Sequence, residues 1–379
     1  MKLIYFIQAL YNSGGMERVL CEKMNYLVCN YDYEIIVVTV EQMGRPVFFP
    51  LNKKIKQIHI DIDFDAHYDY NLLKKYYFHK KKQKQYRKEV QKIIDINKPD
   101  ICISTGGKEI EFLTNIKNCN CKIVEMHFSI NMRALSMAEK NYWSLLGKIR
   151  NWQLRKQTKH LDKLVVLTDN DAQLLKRTHS NLIVIPNPSF LKPKVTEYNS
   201  ESKIAVSVGR LYYQKGYDML LQAWEKVSLM FPDWQLHIYG QGKEEENLKK
   251  IISENNLQKS VMLKGLSNDI ADVYADSSFL VLSSRYEGFP LVIIEAMTCG
   301  LPVVAFDCEF GPSSIITNYK NGILVPPENI NCLAEKIIEL IENEQLRKKM
   351  SIAAKENSKK YELGIIMQQW DNLFSSLIK

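Results

Sequence analysis

Short apolar runs punctuate this chain at helix-length intervals, and that spacing constrains the fold more than any other feature. In the C-terminal half the runs are IAVSV (204–208), QLHIY (235–239), VML (261–263), SFLVLSS (278–284), PVVAF (302–306) and ILVP (323–326). Between them, Tyr217 to Met230 and Lys243 to Asn255 carry apolar residues at helical period. Short strands separated by helices imply βαβ units and a parallel sheet. Runs that stay apolar throughout, instead of alternating, fit strands covered on both faces. The N-terminal half repeats the plan with LIYFIQ (3–8), EIIVVTV (34–40), DICIS (100–104), KIVEMH (122–127), LVVLT (164–168) and LIVIP (182–186). IKQIHIDID (55–63) alternates with period two, as another strand would. The expected fold class is α/β, with two tandem doubly wound parallel-sheet domains. A chain of 379 residues exceeds one ordinary core and suits two.

The segment 185–203 (IPNPSFLKPKVTEYNSESK) holds three prolines, serine-rich turns and few apolar residues. It divides the chain into a first domain over 1–188, a linker over 189–202 and a second domain over 203–361. The remaining 362–379 carries Leu363, Ile366, Trp370, Leu373, Phe374 and Leu377 at helical spacing and is expected to pack back on the first domain.

The composition, 46% hydrophobic and 25% charged, is that of a soluble globular protein. No run reaches the roughly 18 apolar residues of a spanning helix. MKLIYFIQAL meets Asn12-Ser13-Gly14-Gly15 without a small-residue cleavage site, so it reads as a buried strand and not a signal peptide. The expectation is a cytoplasmic chain. Its eight cysteines mostly sit inside apolar segments, and Cys119-Asn120-Cys121 lacks zinc-ligand spacing, so they read as reduced core residues. The net charge of +8 is divided unevenly: +12 over residues 1–200 and −4 over the rest. Such a division suggests that the first half faces something anionic.

Glycines cluster where strands end: Gly14-Gly15, Gly106-Gly107, Gly209, Gly240, Gly242 and Gly288. In open α/β sheets, ligands bind beyond the carboxyl ends of the strands. Two such sheets facing one another would leave a cleft ringed by these turns. Gly209-Arg210 followed by Lys215-Gly216 places two cations between a strand and a helix, suited to a diphosphate or simply solvated. It matches neither a P-loop nor a GxGxxG fingerprint. Gly14-Gly15 opens a helix, either to let a ligand approach or as a structural turn. His127 ends an apolar strand, where it is either structural or a hydroxyl-binding residue. Leu291-Val292-Ile293-Ile294-Glu295-Ala296-Met297 is apolar on all sides except for Glu295, and a buried carboxylate needs donors. Glu287 stands just before, in Glu287-Gly288-Phe289-Pro290.

The ordered series of Gly14-Gly15, His127, Gly209-Arg210-Leu211 with Lys215-Gly216, Tyr239-Gly240-Gln241-Gly242, Glu287-Gly288-Phe289-Pro290 with Glu295, and Gly311-Pro312-Ser313 with Asn321-Gly322-Ile323-Leu324-Val325-Pro326 resembles the retaining nucleotide-sugar glycosyltransferases of family 4. The match is dense from about 203 to 345 and confined to isolated points before that. The resemblance implies the GT-B fold, with transfer of a hexose or N-acetylhexosamine from a nucleotide sugar, UDP preferred, to a saccharide such as a lipid-linked oligosaccharide or surface polysaccharide. It implies that Glu295 accepts hydrogen bonds from the ribose hydroxyls and that Glu287 contacts the sugar. Arg210 and Lys215 would neutralise the diphosphate. Gly288, Phe289, Pro290 and Leu291, with proline in the first helical position, would present the helix N-terminus to it, and Gly14 and Gly15 would approach the donor. His127 would position the sugar or polarise transfer. No cofactor and no metal are implied.

Two departures stand out. Ser314 occupies a position where many relatives have glutamate. Asp61-Ile62-Asp63-Phe64-Asp65 carries the DxD of a metal-dependent fold without its context, and Ala66 and Leu72 fail as a calcium loop, so it reads as a solvated acidic turn. The basic stretches 72–92 and 140–163 interleave aromatic residues, including Trp143 and Trp152, with lysine and arginine. They fit either a solvated face or an anionic membrane, which would place the protein peripherally at the inner face of the cytoplasmic membrane. No nucleic-acid motif accompanies the charge. A nucleotide-sugar epimerase, a sugar phosphorylase or a non-catalytic subunit on the same fold are the competing readings.

Overall fold

The computed structural model describes residues 1–64, 72–128, 151–193, 198–267, 269–309 and 311–378. Asp65 and Ala66 of the acidic turn, and 140–150 of the second basic stretch, lie outside the described residues. The chain divides into two compact units, Met1–Pro186 with Gly364–Lys379, and Asn187–Leu363.

Unit 1 contains strands β1 (Lys2–Ile7), β2 (Glu34–Thr39), β3 (Lys56–His59), β4 (Ile101–Ser104), β5 (Cys121–Glu125), β6 (Lys163–Val166) and β7 (Leu182–Val184). They pair in the order β3-β2-β1-β4-β5-β6-β7, all parallel. Its helices include α1 (Gly15–Asn30), α2 (Leu72–Asn97), α3 (Ile110–Leu113), α4 (151–158) and α5 (Asp169–Leu175). Strand β1 is buried from Leu3 to Ile7, which is why it shows no alternation: helices cover both of its faces. The period-two stretch 55–63 yields only the short strand β3, largely exposed at the sheet edge. Asp61 there accepts a hydrogen bond from Met43 N–H at 2.7 Å.

Unit 2 contains β8 (Ile204–Val208), β9 (Gln235–Tyr239), β10 (Val261–Gly265), β11 (Phe279–Leu282), β12 (Val303–Phe306) and β13 (Gly322–Val325), ordered β10-β9-β8-β11-β12-β13 and again all parallel. Its helices include α6 (Tyr217–Met230), α7 (Glu245–Glu254), α8 (Ile270–Ala275), α9 (Leu291–Thr298), α10 (Ile330–Glu342) and α11 (Glu344–Ser358). Trp224, Leu236, Ile238, Phe279, Phe306 and Ile337 form part of its core. Segment 187–193 runs along this unit: Ser189 N–H bonds to Tyr361 O at 2.8 Å, and Thr298 Oγ1 to Ser189 Oγ at 3.1 Å.

The last helix, α12 (Leu363–Leu377), belongs chiefly to unit 1. It buries Trp370 and Phe374, and Asp371 accepts a 2.6 Å hydrogen bond from Tyr33 OH.

Each sheet runs outward from its first strand in two directions. The chain reverses its direction of progress between β1 and β4 in unit 1 and between β8 and β11 in unit 2. Loops that leave the carboxyl ends of these two strands diverge to opposite faces and leave a crevice.

Gly216 shows how tightly the unit 2 crevice is built. It has φ +62°, and the space of a missing Cβ is filled by the carbonyl of Ser283. Gly265 has φ +69° with nothing within 4 Å of that position. Gly265→Ala should therefore cost only the left-handed penalty of about 1–2 kcal/mol. Gly216→Ala should cost clearly more, because two backbones must also separate. Urea unfolding of both variants checks this, and equal midpoints would contradict it.

Candidate functional site

The residues picked out above fall into two sets. Arg210, Lys215, Gly288, Phe289, Pro290, Leu291, Glu287 and Glu295 lie in unit 2, around the carboxyl ends of β8 and β11. Gly14, Gly15 and His127 lie in unit 1.

In unit 2, β8 ends at Val208 and the chain passes through Gly209 into a tight turn, Tyr213–Lys215. Tyr217 OH donates to Gly209 O at 3.2 Å and folds that turn down. Lys215 is thereby laid against the loop after β11. Its Nζ sits 2.6 Å from Glu287 Oε1, and Ser284 Oγ donates to the same oxygen at 2.7 Å. The two side chains are only 13% and 8% exposed, so the pair is nearly dry. Arg285 forks onto Asp218 at 2.9 and 2.6 Å and lies 3.8 Å over the Tyr213 ring. This contact clamps the loop to the start of α6. A side chain at Gly311, beyond β12, would press on Glu287 Cβ and the Pro290 ring. Arg210, by contrast, is exposed and leans over Tyr212 at 5.3 Å.

Helix α9 follows directly. Pro290 is its N-cap, with extended ψ of 92°, and Leu291 is the first helical residue. This corrects the expectation that proline takes the first helical position; its carbonyl still accepts from Ile293 N–H at 3.0 Å. No side chain caps that end of the helix. Glu295 is 6% exposed, and Tyr274 OH donates to its Oε2 at 3.5 Å. The carboxylate thus has a donor from the protein itself, 21 residues away along the chain. Phe289 is buried edge-on against Tyr361, 5.9 Å between centroids.

In unit 1, Gly14 is the N-cap of α1 and Gly15 its first residue. A Cβ on Gly14 would strike the Glu17 carboxylate, which Asn12 Nδ2 holds at 3.2 Å. The small residue therefore makes room for an acidic side chain in the first turn, a favourable place for negative charge. His127 lies two residues past the end of β5, not within it. Its side chain is 2% exposed.

Beside His127 is a buried pair that escaped the sequence reading. Lys23 Nζ, on the buried stripe of α1, lies 2.5 Å from Glu125 Oε2, and both side chains are 1% exposed. The signals were there: one lysine within the apolar face Leu20, Met24, Leu27, and one glutamate ending an apolar strand. Neither is informative without its partner, which stands 102 residues away.

Comparison with known proteins gives these sites a context. The family model described as "Glycosyl transferases group 1" matches residues 190–357. An uncharacterized glycosyltransferase of Haemophilus influenzae is 32% identical over 376 residues, covering 98% of this chain and 99% of the relative. The chain belongs to the group 1 glycosyltransferases. The amylovoran biosynthesis glycosyltransferase AmsD of Erwinia amylovora is 28% identical, with 99% of each chain covered. Among solved structures, a mutant of S. aureus TarM in complex with fondaparinux, alpha-GlcNAc-glycerol and UDP superposes with a TM-score of 0.77 at 19% identity, covering 98% of this chain and 99% of that one. Two parallel-sheet Rossmann-like units with this neighbour give the glycosyltransferase the GT-B fold class, as the motif series implied.

The Lys215–Glu287 pair makes a prediction. Lys215→Met leaves a buried carboxylate without its cation and should cost about 3–5 kcal/mol. Arg210→Met, at an exposed position, should stay within about 0.5 kcal/mol of wild type. Urea midpoints measure both; a Lys215→Met variant as stable as wild type would remove the ion pair from the description of the site.

Proposed function

We propose that this glycosyltransferase moves a hexose or N-acetylhexosamine from a UDP-sugar to a saccharide acceptor, with retention of anomeric configuration and without a metal. The observation that carries the reading is the Lys215–Glu287–Ser284 cluster at the unit 2 switch point, with Glu295 one helix turn into α9. Lys215 and Arg210 supply the positive charge that a departing diphosphate requires. The uncapped N-terminus of α9 adds a partial positive charge of about half a unit. Glu287, its position fixed by lysine and serine, would accept hydroxyls of the donor sugar. Glu295 would accept from the ribose alongside Tyr274. Ser314, where many relatives carry glutamate, has a buried hydroxyl with no partner among the described residues. In a retaining reaction with same-face attack, the leaving phosphate takes the acceptor's proton, so no protein base is needed at that step.

AmsD supports a polysaccharide acceptor by its name, and the TarM complex supports UDP by its ligand. The basic helix α2 suggests that the acceptor is reached at an anionic lipid surface: Tyr76 and Tyr77 are exposed among Lys74, Lys75, Lys80 and Lys81. Sedimentation with phosphatidylglycerol vesicles should carry the protein down at low salt and release it at about 0.5 M NaCl, where the Debye length is roughly 4 Å. Equal recovery with neutral vesicles would remove the membrane from this reading.

The donor assignment is tested by thermal shift against UDP, GDP and ADP and their sugars, with and without EDTA, because a ligand bound only to the folded state raises the melting temperature. A shift confined to uridine nucleotides and indifferent to EDTA is expected. Glu295→Gln should weaken UDP binding by about tenfold or more, the scale of one hydrogen bond to a charged group. Glu287→Ala should keep UDP binding and slow transfer. Unaltered binding and turnover in both variants would sink the site assignment.

A further inference from the structure

The buried pair in unit 1 has no role in the reading above, and packing does not explain it. Burying a lysine and a carboxylate costs several kcal/mol per ion, and well-packed apolar residues of similar volume often serve stability as well or better. Lys23 stands on an otherwise apolar stripe of α1, where a methionine or leucine would fill the space. Yet the site is elaborately furnished. The Lys23 ammonium lies 3.2 Å from the centre of the Trp370 ring, on α12, and 5.3 Å from that of Tyr5, on β1. A desolvated ammonium over a tryptophan face is among the stronger cation–π contacts.

The two oxygens of Glu125 face different partners. Oε2 meets Lys23 at 2.5 Å, and Oε1 lies 3.2 Å from His127 Nε2. That second contact lies within hydrogen-bonding distance, and no other group among the described residues partners either ring nitrogen. A buried polar nitrogen left unpaired costs about 1–3 kcal/mol, so Nε2 is drawn to the Glu125 oxygen beside it. Nδ1 has no partner among the described residues.

We infer that the Lys23–Glu125 ion pair, pressed against Trp370, is a positioning device for His127: the carboxylate accepts the Nε2 proton and leaves Nδ1 as the nitrogen that meets a saccharide hydroxyl. This rests on the reading of His127 as a residue that serves the sugar. The hydrogen bond made by one ring nitrogen decides which tautomer the other presents. An ionised Glu125 has acceptors only and fixes the tautomer in this sense, whereas a protonated one has an O–H that could donate to Nε2 and reverse it. Burial alone would push the Glu125 carboxyl up; Lys23, 2.5 Å away, and His127 beside it overcome that and hold it down. Burial pushes Lys23 down against the pull of Glu125, and the 2.5 Å contact between them is that of an ion pair. Lys23 and Glu125 touch no substrate in this arrangement and act through the imidazole.

Nitrogen-15 NMR of histidine-labelled protein tests the inference without an acceptor. The chain has seven histidines, and loss of a signal in His127→Ala assigns the one needed. Wild type should show the Nε2–H tautomer. Lys23→Met, which leaves Glu125 buried and unpaired, should shift it toward Nδ1–H. In case that variant is too unstable, Lys23→Met with Glu125→Leu should recover stability while the His127 signal becomes a mixture of tautomers. The same proteins are assayed for release of UDP from UDP-glucose and UDP-N-acetylglucosamine. The double variant should lose about tenfold or more in kcat, about 1.4 kcal/mol of barrier, with KM for the donor nearly unchanged. An unchanged tautomer in both variants, or wild-type kcat in the double variant while His127→Ala is impaired, would overturn the positioning role alone. If His127→Ala itself turns over normally, the reading of His127 falls instead. If wild type releases no UDP from either sugar, the tautomer measurement decides by itself.

Discussion

A parallel strand pair cannot be closed by a tight turn; the chain must cross back over a face of the sheet before it can pair again. That requirement organises both units of this protein. Most crossovers cover a face with a helix, as α1 does between β1 and β2 and α6 between β8 and β9, so the inner strands become apolar throughout, and the loops that leave the strands' carboxyl ends arrive at the same edge. Because the strand order grows outward from β1 in one unit and β8 in the other, one gap per sheet has loops that part company. Lys215, Glu287 and the start of α9 collect at the unit 2 gap for this reason. They are 72 residues apart along the chain for the lysine and glutamate, and 2.6 Å apart in space.

Among the described residues, three buried carboxylates illustrate how charge enters the interior in company. Glu287 has Lys215 and Ser284, Glu295 has Tyr274, and Glu125 has Lys23 with His127 alongside. Such pairs are poor devices for stability, since two ions must give up water to form them. They are good devices for holding an oxygen or a nitrogen in a fixed place with a fixed charge. Both lysine–carboxylate pairs lie near loops at the carboxyl edge of a sheet. The surface charge follows a different logic. The excess of positive charge in the first half is borne in part by α2, whose lysines surround exposed tyrosines, whereas the second half carries a slight negative excess.

Much of the fold was legible in the sequence, as the strands illustrate. LIYFIQ, EIIVVTV and PVVAF announce buried parallel strands because an apolar side chain at every position tolerates only a doubly covered sheet. The motif series around Gly209, Lys215 and Glu287 was also legible, because loops at a switch point must carry glycine where backbones touch, as at Gly216 against Ser283. The edge strand β3 was over-read: alternation over 55–63 marks only a short, exposed strand. Pro290 was misplaced by one residue because a proline's fixed φ suits both an N-cap and a first helical turn, and only ψ separates them.

What the sequence determined by itself was most of the elements, their parallel pairing and the glycine-marked loops at the carboxyl ends of the strands, since period and composition act locally and a crossover's hand is fixed by chirality. What only the tertiary structure decided was partnership. Tyr274 reaching Glu295, Gly14 yielding to Glu17, and Lys23 of α1 meeting Glu125 of β5 under Trp370 of α12 join positions as far as 347 residues apart, from Lys23 to Trp370. A charged side chain announces that it needs a partner, but desolvation is a property of the packed interior, and nothing local in a sequence names the atom that will compensate for it.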